Sequence, residues 1–182
     1  MRRHKQILLC VRIRTKTNIV VLHCLLKSMT SMQLSIRYQF TQSFQAPAKK
    51  AFEWCTDFCQ LDHVLMGEES AERPIIHLGE NTIILKDVFY SAKGSIEKEK
   101  LVALYPEQLF WISTHLTGPN KHSQFLYQIL PNGKSASILN FTALHLEYAE
   151  ETNAKLLAEQ LCGEDTQAWK LLAKAMANEL GR

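Results

Sequence analysis

Short stretches in which apolar and polar residues alternate recur along most of the chain and predict an antiparallel sheet. The first stretch runs from Ile36 to Phe44, and six more follow after residue 72, separated by turns rich in Gly, Pro and Asn. Alternation with a period of two is typical of strands that bury one face, and regular turn signals between them favour a meander. The six later strands are predicted at Ile75–Leu78, Thr82–Tyr90, Ser95–Leu104, Leu109–Leu116, Ser123–Leu130 and Ser135–Tyr148.

Helices are predicted in two places. Pro47 opens a short helix that ends near Cys55, because proline fits the first helical turn, and a second short helical piece reaches about Met66. From about residue 150 to residue 180, apolar residues recur every three or four positions and predict a long helix, which Gly163 interrupts with a kink or a short break. No strand–helix–strand alternation occurs, so a parallel sheet is disfavoured.

The order of these elements is strand, two short helices, six strands and a long helix. The apolar side of the long helix needs a partner, and the sheet is the only large one. We therefore predict an α+β architecture: a seven-stranded antiparallel sheet wrapped around a long C-terminal helix, with an apolar cavity between them.

Charge separates a basic leader, residues 1–32, from a mildly acidic domain, residues 33–182. The leader holds seven basic and no acidic side chains, which leaves 14 basic and 18 acidic residues in the domain. An acidic domain without a basic and aromatic patch argues against nucleic-acid binding. Within the domain, residues 97–100 alternate Glu and Lys, which predicts a solvated strand face with cross-strand ion pairs.

Three interpretations of the leader stay open. It could be a targeting segment, it could be disordered or add an edge strand, or translation could begin at Met29 or Met32. Its longest apolar run, Ile19 to Leu26, is too short to span a bilayer, so no stable membrane insertion is predicted. We expect a cytoplasmic protein, with an organelle as the alternative if the leader is a genuine targeting signal. The oligomeric state does not follow from the sequence.

Motifs that identify common enzyme classes are absent from the sequence. It holds no G-x-S-x-G, no phosphate-binding loop, no H-E-x-x-H and no G-x-G-x-x-G. Cys55 and Cys59 lie four residues apart, but the two further ligands that zinc requires are missing. The five cysteines give no disulfide framework, so we expect free thiols and predict neither a metal nor a cofactor.

Several loose motifs, in their order along the chain, resemble the START-like (SRPBCC, helix-grip) superfamily. The first strand runs into Ala46-Pro47 and then into a short helix that ends near Thr56-Asp57. The turn at Tyr105-Pro106-Glu107, the hairpin signal Asn132-Gly133 before a long last strand, and Trp169 in the C-terminal helix are also similar to the family. The resemblance covers residues 35–180.

This resemblance implies a hydrophobic ligand cavity between the sheet and the C-terminal helix. The superfamily includes lipid-transfer domains, Bet v 1-like proteins, polyketide aromatase/cyclases and chaperone activators, so the fold alone does not fix the function. The first hypothesis is binding of a lipid-like or polyketide-like hydrophobic small molecule. The alternatives are a cyclase/dehydratase-type enzyme that acts on a polyketone, and an interaction module like the chaperone activators.

Candidate site residues follow from the faces of the predicted strands and from the apolar side of the long helix. Trp111, Ser113 and His115 share one strand face, as do Phe141 and His145. His115 and His145 would be polar points in an apolar pocket and are the candidate catalytic residues, although each could instead be an ordinary sheet histidine. The predicted cavity lining comprises Phe52, Phe58, Tyr90, Trp111, His115, Tyr127, Phe141, His145, Trp169, Leu172 and Met176.

Overall fold

A computed structural model describes residues 32–59, 61–65, 71–91, 94–149 and 153–180. The predictions for the leader before Met32, and for the end of the second short helical piece near Met66, fall outside these residues. Eight strands and three α-helices are present within them, together with a short 3-10 turn at Pro106–Gln108. The strands are β1 (Met32–Phe44), β2 (Ala71–Glu72), β3 (Ile75–Gly79), β4 (Thr82–Ser91), β5 (Gly94–Tyr105), β6 (Phe110–His115), β7 (Gln124–Pro131) and β8 (Ser137–Ala149).

All strand pairs are antiparallel, and the sheet has the order β1-β8-β7-β6-β5-β4-β2, with β3 also pairing with β4. The seven predicted strands are all present, and the eighth is the two-residue β2, which is too short to give an alternating pattern. The hairpin between β7 and β8 contains Gly133 at a φ of 81°, a conformation that glycine adopts without steric cost.

The helices are α1 (Ala48–Cys55), α2 (Leu61–Leu65) and α3 (Ala154–Glu179). The side chain of Asn153 caps α3 by accepting hydrogen bonds from the backbone N–H groups of Lys155 and Leu156 at 3.1 and 3.2 Å, so the helix begins later than the predicted residue 150. The helix then runs through Gly163 without interruption, so the predicted short break is absent.

The core lies between one face of the sheet and the helices α1 and α3. Successive residues of β6 alternate between half-buried and buried. Strand β8 buries Leu139, Phe141, Ala143 and His145 on one face, which includes the predicted pair Phe141 and His145. Trp169 of α3 contacts this face, with its ring 6.2 Å from that of Phe44 and 6.5 Å from that of Trp111. The predicted sheet-and-helix architecture is therefore confirmed.

Candidate functional site

A cavity of about 440 Å³ lies between the inner face of β4–β8 and helix α3. Its volume is in the range of ~300–1,000 Å³ that small-molecule sites in proteins occupy. Helix α1, the turn after it and α2 contribute Trp54, Cys55, Phe58 and Asp62 to the wall, so the cavity is bounded by sheet, long helix and short helices together.

The wall between β6, β7, β8 and α3 is aromatic. The rings of Trp111 and Tyr127 stack with centroids 4.6 Å apart and an interplanar angle of 4°. Phe141 meets Tyr127 edge-on at 5.1 Å, and Trp169 lies 5.8 Å from Tyr127 on the helix side. Burial raises the pKa of the Tyr127 hydroxyl, so this side chain stays neutral. Offset and edge-on ring contacts of this kind form a rigid apolar surface.

The cavity wall becomes polar toward the end of β6, where Ser113 and His115 follow Trp111 on the inner face. Both residues are buried, with 6% and 7% of their surface exposed. His115 Nδ1 lies 2.9 Å from the side-chain oxygen of Asn120, in the turn that follows β6. Burial, assisted by the positive charge of Lys100 on β5, lowers the pKa of His115 to about 4, so the imidazole is neutral at pH 7.

A group of buried charges lies at the same end of the cavity. The carboxylate of Asp87 on β4 is fully buried and contacts two cations: Arg73 Nε at 2.7 Å and the ammonium of Lys100. Arg73 also bonds Asp62 of α2 at 3.1 Å. Burial lowers the pKa of Lys100, and the neighbouring Asp87 opposes that shift. The ion pairs thus tie α2 and the residues after β2 to the inner face of the sheet.

A second buried carboxylate, that of Asp165, faces the cavity from helix α3. The Tyr38 hydroxyl on β1 donates a hydrogen bond of 2.6 Å to Asp165 Oδ2. Burial raises the pKa of Asp165, whereas the hydrogen bond from Tyr38 opposes the shift. This contact fastens the middle of α3 to the first strand of the sheet.

The structure brings most of the predicted lining residues together. Seven of the eleven line the cavity: Phe58, Trp111, His115, Tyr127, Phe141, Trp169 and Leu172. Phe52 and Met176 are buried in the core behind the wall, and the Phe52 ring meets Trp111 edge-on at 5.8 Å.

Two further predicted residues do not line the cavity, and the placement of Tyr90 in it was wrong. Tyr90 is 48% exposed, because it lies on the opposite face of β4 from the inward-facing Leu85, Asp87 and Phe89. His145 is buried on the inner face of β8 but is absent from the cavity lining, and its Nε2 pairs with Glu147 at 3.1 Å. The two candidate histidines therefore do not converge on one space.

The buried charges at the polar end of the cavity were not predicted from the sequence. Lys100 was predicted on a solvated face, whereas its ammonium contacts the fully buried Asp87. The spacing of the charged residues along their strand and helix could have indicated that they face inward. Asp87 continues the two-residue period of Ile83 and Leu85, and Asp165 lies four residues from both Leu161 and Trp169 on the apolar side of α3.

No group of three or more metal-binding side chains occurs in the part of the chain that the structure describes. Within the same residues, no helix has the length and apolar character needed to cross a membrane.

The fold is that of START-like (SRPBCC) helix-grip proteins, as the sequence predicted, and similarity to solved structures supports this conclusion. An aromatase/cyclase from a Streptomyces species matches with a TM-score of 0.61 and 15% identity over 80% of this chain and 93% of its own. A START superfamily protein from Mycobacterium smegmatis matches with a TM-score of 0.60 and 15% identity, over 78% and 97% of the two chains.

Norcoclaurine synthase from Thalictrum flavum, solved with dopamine and hydroxybenzaldehyde, has a TM-score of 0.58 at 12% identity, over 96% and 98% of the two chains. Identities this low establish the fold and not the activity. Neither a protein-family model nor a curated protein matches the chain.

Proposed function

We propose that this protein binds a hydrophobic or amphipathic small molecule between its sheet and helix α3. The observation that carries the proposal is the cavity of about 440 Å³ with an aromatic wall built from the stacked Trp111 and Tyr127. Burial of an apolar ligand there contributes about 25 cal/mol per Å², opposed by the entropy lost on association. The synthase that shares the fold supports the proposal, since it was solved with two small organic molecules, dopamine and hydroxybenzaldehyde.

The polar end of the cavity supports an amphipathic ligand in particular. Ser113, His115 and Asn120 lie beyond Trp111 along the same wall, so a bound molecule would meet aromatic rings at one end and hydrogen-bonding groups at the other. Polar groups placed at one position of an otherwise apolar site fix the orientation of a ligand.

Native mass spectrometry of the purified protein, with solvent extraction of bound compounds, tests the proposal first. Titration with the neutral fluorescent hydrophobe N-phenyl-1-naphthylamine tests it without a natural ligand, and we expect saturable binding. Ala168 lines the cavity, so Ala168→Phe should weaken this binding by about tenfold or more by filling the space. Ala154→Phe is the matched control, because Ala154 is exposed at the start of the same helix. Absence of both a bound hydrophobe and saturable probe binding would refute the proposal.

A cyclase/dehydratase-type enzyme is the second candidate, and the position of His115 favours it. A neutral imidazole in the cavity can act as a base that removes a proton from a carbon between two carbonyl groups. The assay is conversion of a synthetic aromatic polyketone, followed by the absorbance of the cyclised product, with His115→Gln as the variant that should lose activity. Equal rates with and without the protein would exclude this candidate.

The third hypothesis, an interaction module like the chaperone activators, predicted an exposed apolar groove without an enclosed cavity. The aromatic lining of the cavity between the sheet and α3 supports the small-molecule hypotheses more directly than this one.

A further inference from the structure

The inner face of β6 carries a hydroxyl that lacks a partner. Ser113 Oγ is buried in the cavity wall and makes no hydrogen bond within the part of the chain that the structure describes. Buried polar atoms nearly always have a partner, so an orphaned hydroxyl that lines a cavity indicates a group that is supplied from outside the chain. A serine hydroxyl can both donate and accept.

The neighbouring His115 presents an acceptor. Its Nδ1 is 2.9 Å from Asn120 Oδ1, and because an amide oxygen only accepts, Nδ1 carries the ring proton and Nε2 keeps its lone pair. No partner for Nε2 is found among the described residues. Lys100 lies directly opposite His115 on the neighbouring strand, and the charge of the Lys100 ammonium disfavours a second proton on the imidazole ring.

The charged groups of the wall already have contacts of their own. The cations of Arg73 and Lys100 contact Asp87, and Asp165 accepts the hydrogen bond from Tyr38. Lys98 lies with its ammonium 5.0 Å above the ring of Phe89, beyond Lys100 along β5 and away from Ser113. Ser113 and His115 are thus two neighbouring uncharged groups on one strand face whose hydrogen-bonding capacity is open.

Ser113 and His115 are two residues apart on one strand face, a separation of about 6.6 Å along the strand. One oxygen atom placed between them can accept a hydrogen bond from the serine hydroxyl. The same atom can donate a hydrogen bond to His115 Nε2 only if it bears a hydrogen. A carboxylate or a ketone has no hydrogen to donate, and its oxygens would face the lone pair of the imidazole. We propose, on the basis of the proposed function, that the ligand carries a hydroxyl group that accepts from Ser113 Oγ and donates to His115 Nε2.

The body of this ligand lies toward the aromatic wall. Trp111 is the next inward-facing residue of β6 before Ser113, and it stacks on Tyr127 at 4.6 Å. A hydroxyl held by Ser113 therefore places the atoms bonded to it beside flat aromatic rings. This geometry fits a hydroxylated ring compound, such as a phenol or a cyclic alcohol, in preference to an acid with the same carbon frame.

Three naphthalenes of similar shape test the proposal: 2-naphthol, 2-methylnaphthalene and 2-naphthoate, titrated against the full chain by the quenching of tryptophan fluorescence. We expect 2-naphthol to bind at least about fivefold more tightly than 2-methylnaphthalene, because it gains the two hydrogen bonds, and 2-naphthoate to bind most weakly. In Ser113→Ala, 2-naphthol should lose about fivefold in affinity, whereas 2-methylnaphthalene should bind as well as before or better.

The comparison within the wild-type protein does not depend on any variant being folded. If 2-naphthol and 2-methylnaphthalene bind wild type equally, or 2-naphthoate binds best, the hydroxyl inference is overturned and the proposed function stands. If Ser113→Ala weakens all three compounds to the same degree, the serine has no selective role and the inference is likewise overturned. If none of them binds saturably, and no hydrophobe is extracted from the protein, both proposals are refuted.

Discussion

The fully buried Asp87 offers a sharp test of the electrostatics at the polar end of the cavity. Its carboxylate contacts Arg73 Nε at 2.7 Å and the ammonium of Lys100, both on residues with mostly buried side chains. Replacement of Asp87 by asparagine keeps the size of the side chain but removes the negative charge that offsets these two cations. We expect the Asp87→Asn variant to be strongly destabilised.

The magnitude follows from the burial of the partners. Removal of one member of a buried ion pair costs about 3–5 kcal/mol, because the remaining charge is left without compensation in a medium that solvates it poorly. Arg73 keeps its bond to Asp62 at 3.1 Å, so Lys100 bears most of the cost, and a loss of about 3 kcal/mol is expected. For a domain of this size, that loss corresponds to a decrease in Tm of roughly 10 °C.

Urea unfolding followed by circular dichroism at pH 7 measures this loss, with Glu97→Gln as the matched control. Glu97 pairs with Lys86 at 3.0 Å on the exposed face of the same two strands, so its neutralisation should change stability little. Because the cost resides mainly in Lys100, Lys100→Met should destabilise the wild type but restore part of the stability lost in Asp87→Asn.

Two results would refute this reasoning. A loss below about 1 kcal/mol in Asp87→Asn would show that water or other groups compensate the cations. Equal losses in Asp87→Asn and Glu97→Gln would show that burial does not set the strength of these pairs.

Three further predictions concern the cavity wall and the thiols. Ser113→Ala should stabilise the ligand-free protein by about 1 kcal/mol in urea unfolding, because it removes a buried hydroxyl without a partner; destabilisation would contradict this. The folded-state pKa of His115 lies near 4, below the unfolded value of about 6.5, so the unfolded chain binds the extra proton between these values. Stability should therefore fall as the pH decreases from 6.5 to 4, by up to about 3 kcal/mol, and His115→Gln should flatten this dependence while the exposed control His77→Gln leaves it unchanged. Burial raises the pKa of the Cys55 thiol, so iodoacetamide at pH 8 should label the exposed Cys59 much faster, as peptide mapping by mass spectrometry would show; equal rates would argue against a protected Cys55.

The architecture could be predicted from the sequence because each strand carries its own evidence. In β6, the alternation of Trp111, Ser113 and His115 with half-buried residues is a local pattern, and the structure buries those three residues as predicted. The turn signals around Gly133 and the proline before α1 also act within a few residues. Such features depend on neighbours in the sequence, which a single chain displays in full.

The buried charges at the polar end of the cavity could not be predicted in the same way. The lysine at position 100 stands in an alternating charged stretch that is typical of a solvated face, and only the pairing of β5 with β4 brings it to Asp87. Arg73 lies in the short connection between β2 and β3, and it contacts the same carboxylate. These contacts join residues of separate elements, so the sequence pattern around each residue does not predict them.

The misplacement of Tyr90 has a related cause. The strand β4 has apolar residues on both faces, Val88 and Tyr90 on one and Leu85 and Phe89 on the other, so hydrophobicity alone does not identify the inner face. The pairing with β5 decides the matter, because Leu85 lies opposite Lys100 on the cavity side and Tyr90 lies opposite Ser95, which is exposed.

The pairing of β1 with β8 has a consequence for the order in which the fold can assemble. These strands share thirteen register positions, from Met32 opposite Ala149 to Phe44 opposite Ser137, yet about a hundred residues separate them along the chain. The chain loses entropy on closing so large a loop before the paired strands contribute any stabilisation, and this loss slows folding. During synthesis, β1 emerges from the ribosome long before its partner exists, so its open edge stays available to other chains until β8 and then α3 have been made.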